Sequence, residues 1–236
     1  MARLATTQWS QVLAARDGSE TESRQALEAL CQTYWMPLYA YIRQQGVSPE
    51  DASDLTQAYF AELLEKDFLA DVDPAKGRFR AFLLASLRNF LSHERVKSRR
   101  LKRGGGTQSL SLDIDAGEKG YAVHPVEKST PEDVYEYRWA VTVLDRAMDR
   151  LERESQDSGT EQHFRCLKPY MRSESPQQPY REVADLLEMS EGAVKVAVHR
   201  LRKRFGGALR LEIAETVSDS ADVDDEVRHL LQVLRS

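Results

Sequence analysis

The chain has 236 residues, with 33 Lys or Arg against 38 Asp or Glu, a net charge of −5 and two cysteines. This length suits two small domains or one large one, and the acidic balance argues against an indiscriminate nucleic-acid binder. No apolar run approaches the ~18 residues of a membrane span, no signal-peptide core opens the chain, and no P-loop, GxGxxG, HExxH or GxSxG occurs, so we expect a cytoplasmic, non-membrane protein that is not an enzyme.

Apolar residues recur with a period near 3.6 and alternating strands are absent, which predicts an all-α fold. A first helical block runs from about residue 7 to 100. Cys31 and Cys166 lie far apart without CxxC spacing, so they read as reduced core thiols, with no metal or cofactor expected. Within the block, Ser48 is a predicted N-cap with Pro49 at the first helical position and Asp51 at the capping-box position. Ala52, Leu55, Thr56, Tyr59 and Leu63 then share the predicted inward face. Glu50, Ser53, Asp54 and Gln57 share the opposite one, which suits either a basic protein partner or plain solvation.

The next helix carries Phe79, Phe82, Leu83, Leu87, Phe90 and Leu91 at core spacing. From Lys76 to Arg103 there are ten basic residues against one acid, Glu94. Lys76, Arg78, Arg80, Arg88, Arg95, Arg99 and Arg100 are suited to phosphates, and Asn89 and Ser92 to bases. Residues 104–133, rich in Gly, Ser and Pro, break every period and read as a flexible linker. The expected domains are therefore 1–103 and 134–215, followed by an extension over 216–236. Its acidic stretch, with six acids and no base from Glu215 to Glu226, precedes an amphipathic segment, Val227–Leu234.

The most informative stretch is YREVADLLEMSEGAVKVAVHRLRKRF, residues 180–205. Tyr180, Val183, Ala184 and Leu187 give one helix an apolar face. Ser190 caps a second helix whose inward stripe is Val194, Ala197, Val198, Leu201 and Phe205. Glu191, Gly192, Lys195, His199, Arg202 and Lys203 project to the other side. Such a pair reads as a helix-turn-helix with its second helix in a DNA major groove, or as a helical hairpin with a solvated charged face.

Three of these stretches together resemble the extracytoplasmic-function (ECF) sigma factors of bacterial RNA polymerase. EDASDLTQAYFAELL is similar to the family's polymerase-binding helix, GRFRAFLLASLRNFLSHERVKSRR to its promoter-melting segment, and residues 180–205 to its carboxy-terminal helix-turn-helix. The resemblance covers roughly residues 7–103 and 134–212 in family order. It implies that Glu50, Asp51, Asp54 and Gln57 dock on core RNA polymerase. It implies that the segment from Lys76 to Arg100 binds the minus-ten element and captures its melted single strand. It also implies that the helix opened by Ser190 and Glu191 reads double-stranded DNA at the minus-thirty-five element. Lys195 and His199 would face base edges there, and Arg200, Arg202 and Lys203 phosphates.

Ser53 and Ala58 stand where the family often has glutamates, and Thr56 where it often has valine. This weaker acidic face makes Ser53, and secondarily Thr56, candidate phosphorylation sites for a partner Ser/Thr kinase. An anti-sigma factor is the other regulatory partner the resemblance allows. The extension is expected either to lean on the basic DNA-binding surfaces or to be a solubilising tail. The competing class is a stand-alone helix-turn-helix regulator that never becomes a polymerase subunit.

Overall fold

The computed structural model describes residues 20–64, 78–101, 129–171, 179–217 and 220–235. Among them are eight α-helices and no strand, in agreement with the predicted all-α class. They are α1 (Glu20–Arg43), α2 (Pro49–Leu64), α3 (Phe79–Leu101), α4 (Pro131–Asp157), α5 (Glu161–Leu167), α6 (Tyr180–Leu186), α7 (Glu191–Ala214) and α8 (Val223–Val233). The chain divides into two compact units, one of Met1–Thr142 with Ile213–Ser236 and one of Val143–Glu212. These units do not follow the expected boundaries. The start of α4 and the whole carboxy-terminal extension fall with the first unit.

In the first unit, α1 buries Leu30, Tyr34, Leu38 and Ile42, spaced four apart along one face. A tight turn at Gly46, where φ is +80°, leads to α2, and glycine adopts that backbone without a Cβ penalty. Ser48 Oγ accepts the Asp51 N–H at 3.1 Å, so the predicted cap is in place. The core of the unit is aromatic. Trp35 stacks on Phe60 and Tyr59 meets Phe90 edge-on, with centroids 6.1 and 5.6 Å apart. The Tyr59 hydroxyl donates to Leu83 O at 3.2 Å and pairs with Ser86, and burial drives its pKa far above the usual phenol value. Each buried Leu or Phe here contributes roughly 1.5–3 kcal/mol of transfer free energy.

Helix α4 begins three residues before the predicted linker ends. Thr130 and Asp133 form a reciprocal capping box, with N–H to side-chain oxygen distances of 3.0 and 3.2 Å, and Pro131 occupies the first helical position. The missed signal was this Thr-Pro-x-Asp pattern, which has Asp where Glu is usual. The first turns of α4 are tied to α3 by Tyr135, whose buried hydroxyl donates to Arg80 O at 2.9 Å.

The second unit packs the rest of α4 with α5, α6 and α7 around Met148, Leu151, Phe164, Leu167, Val194 and Leu201. Glu212, buried near the end of α7, accepts from Arg146 Nε at 2.9 Å and Arg150 Nε at 2.7 Å. Two guanidiniums on one buried carboxylate fix the register of α7 against α4, because loss of either partner leaves a charge without compensation.

Candidate nucleic-acid interface

The junction between α6 and α7 is built by backbone geometry. Met189 N–H bonds Ala184 O at 2.9 Å and Glu188 N–H bonds Asp185 O at 3.4 Å, the paired bonds of a Schellman ending. The left-handed position of that motif is held by Glu188 at φ 53°, where glycine is the usual occupant. Ser190 Oγ then accepts Ala193 N–H at 3.2 Å and starts α7. The predicted inward residues Val183, Ala184, Leu187, Val194, Val198 and Leu201 are buried, while Ala197 and Phe205 are half-buried.

The outward face of α7 carries the predicted set. Ser190, Glu191, Lys195, His199, Arg200, Arg202 and Lys203 are all exposed. Glu191 in the first turn complements the helix dipole whatever else it does. Lys195 Nζ lies 5.5 Å from the Tyr180 ring centroid, which steadies a long side chain at the start of the exposed row. Arg202 is held differently, donating to Tyr170 O at 2.9 Å. Arg204, which sequence reasoning did not select, pairs with Glu154 at 2.8 Å.

In the first unit, Glu50, Asp51 and Asp54 are exposed on α2 and Gln57 is half-buried, so the acidic face exists. Ser53 does not belong to it. It is 4% exposed and receives the Gln57 amide at 3.5 Å. The helical wheel misplaced it because α2 packs on two sides, toward α1 through Phe60 and toward α3 through Tyr59, which widens the buried arc. Thr56 is fully buried and donates to Ala52 O at 2.7 Å. Neither hydroxyl offers a kinase an accessible acceptor, and a phosphate at either would need the helix to unpack.

The basic residues of α3 separate into two groups. Asn89, Ser92 and Arg95 are exposed, with Arg95 donating to Gln45 Oε1 at 2.5 Å. Arg88 donates to Tyr41 Oη at 3.2 Å and pairs with Glu132, and these two bonds raise its pKa and hold its charge. At the amino-terminal end of α3, Arg80 is buried. Its Nε lies 3.1 Å from Glu226 and 3.3 Å from Glu136, with its guanidinium 4.6 Å over the Trp139 ring. Arg78 Nε, partly exposed, lies 2.8 Å from Glu226. Lys76 and the side chains of Arg99 and Arg100 lie outside the described residues. Sequence reasoning missed Glu132, Glu136 and Glu226 as partners, since acids of a later segment carry no local signal of what they meet.

Helices α6 and α7, joined by a capped turn, leave a basic row exposed on the second helix, an arrangement suited to DNA. The chain belongs to the ECF sigma factor family, which it matches over residues 10–211, so its role lies in transcription initiation and its regulation. No curated protein and no solved structure matches the chain. Among the described residues no helix is long and apolar enough to cross a membrane.

Proposed function

We propose that this chain binds core RNA polymerase and directs it to promoters through two DNA elements. The observation that carries this reading is the exposed row Lys195–His199–Lys203 on a helix fixed at its start by the Ser190 cap and the Schellman turn. A helix so anchored can enter a major groove with Lys195 and His199 toward base edges and Arg200 and Lys203 toward phosphates. Arg202 joins the phosphate contacts once its bond to Tyr170 O gives way.

The first unit supplies the other two functions. The exposed carboxylates Glu50, Asp51 and Asp54, with Gln57 beside them, suit a basic polymerase surface. Asn89, Ser92 and Arg95 offer hydrogen bonds and charge to an opened minus-ten strand, with Arg88, Arg99, Arg100, Lys76, Arg78 and Arg80 as further phosphate ligands. Covalent linkage of two DNA-reading units in one chain raises the effective concentration of the second once the first has bound.

The test is to add the purified chain to core polymerase with fragmented genomic DNA and map RNA 5′ ends. A polymerase subunit yields starts at discrete sites that vanish without the chain. A stand-alone regulator yields none, and that result overturns the proposal.

A further inference from the structure

Helix α8 lies beyond the span matched to the family, yet it is packed into the first unit. Leu230 is fully buried, and Glu226, one turn earlier on the same face, is 1% exposed. The Glu226 carboxylate sits at the amino-terminal end of α3, against Arg78 at 2.8 Å and Arg80 at 3.1 Å. A helix amino terminus and two guanidiniums together make a strong anion site. Here the anion is the chain's own carboxylate, in the position a DNA phosphate takes if Arg78 and Arg80 serve the minus-ten strand.

The contact is built to open. Although the charges approach closely, Arg80 Nε and Glu226 Oε2 have no aligned hydrogen-bond partner among the described residues, and neither does the buried Trp139 Nε1. Burial raises the Glu226 pKa, and Arg80, Arg78 and His229 only partly offset that rise, which Glu136 reinforces. A buried ion pair with poor alignment does not recover the full cost of desolvation. Release of α8 returns Glu226 to water. It does not strand Arg80, because Glu136 on α4 remains within 3.3 Å. His229 of α8 lies 3.0 Å from the same Glu136, so this carboxylate is shared between the docked helix and Arg80.

We propose that α8 is an autoinhibitory latch, with Glu226 standing in for a promoter phosphate on Arg78 and Arg80 until DNA displaces it. The proposal rests on the minus-ten reading of α3 given above. It narrows the expected role of the acidic tail. Of its described acids, Glu226 alone is buried, while Asp222, Asp224 and Asp225 are exposed, and Asp225 pairs with Arg228 within α8.

The test measures binding of the free chain to a fluorescein-labelled single-stranded oligonucleotide at several salt concentrations. It compares the wild type, a deletion of residues 218–236, and Glu226→Lys in the full chain. A latch closed about nine-tenths of the time weakens apparent affinity about tenfold, so both variants are expected to bind about tenfold more tightly. Their salt dependence should steepen as two phosphate contacts are regained. A synthetic peptide of residues 218–236 should weaken binding by the deletion variant. Unchanged affinity in both variants, with cooperative melting retained, overturns the latch. Where a variant loses cooperative melting, a Gly/Ser insertion between Val217 and Ser220 decides. It keeps every packed residue but lowers the local concentration of α8, so unchanged DNA affinity there also overturns the proposal. Mapped promoter starts without unmasking reject the latch alone, whereas unmasking without promoter starts rejects the sigma reading alone.

Discussion

Glu188 shows how one residue can be right for position and wrong for backbone. The turn between α6 and α7 needs a left-handed residue, and Glu188 supplies it at φ 53° despite its Cβ. Glu188→Gly should remove about 1–2 kcal/mol of strain. Greater freedom of glycine in the unfolded chain takes back roughly 0.5–1 kcal/mol. We therefore expect a net gain of between zero and about 1.5 kcal/mol, read as a higher midpoint in thermal or urea unfolding. A lower midpoint would mean that the Glu188 side chain makes a contribution beyond the turn. The same scale explains why the burial of Ser53 and the acidic partner of Arg80 are not legible in the sequence. A wheel drawn for one helix knows its angles but not how many neighbours pack on it. Ser53 is buried on a helix that packs on more than one side. Arg80 faces an acid 146 positions later in the chain, which no local pattern can announce.

At the scale of elements, the sequence was most legible where a cap and a period coincide. Ser48 with α2, and Ser190 with the first turns of α7, formed as read, because capping and burial are set by residues within two turns of one another. The start of α4 was missed by three residues, since Asp in the capping box is a weaker sign than Glu. The placement of α8 was illegible in a different way. Its amphipathic pattern announces a helix with one apolar side, but the partners of its Glu226 and His229 lie on α3 and α4. For α7 the proposed division of labour is directly testable. Lys195→Ala and His199→Ala should each relax preference at a base position of the upstream element, by about 1–3 kcal/mol where the contact is bidentate. Lys203→Ala should instead weaken binding almost evenly across sequences and reduce the salt slope by about one. Selection from randomised upstream elements, followed by titration at several salt concentrations, separates the two patterns. An identical loss from all three substitutions would make α7 a non-specific basic helix.

For the whole molecule, net charge conceals the arrangement that matters. The chain is acidic overall, and three sets of its described carboxylates bear on the proposed function. Glu50, Asp51 and Asp54 face outward, Glu212 secures two arginines within the second unit, and Glu132, Glu136 and Glu226 cover arginines of α3. Under the proposed function, a chain with these surfaces should bind DNA poorly alone and well when polymerase and an opened strand compete for the covered charges. The most direct measurement is a combined nuclease and permanganate footprint on one promoter mapped with this chain. With core polymerase present, the account predicts an upstream protected patch that is lost in the Lys195→Ala/His199→Ala double variant. It also predicts reactive thymines near minus ten that are lost in the Asn89→Ala/Arg95→Ala double variant. Upstream protection that is equally strong without polymerase, with no reactive thymines in either condition, would contradict it.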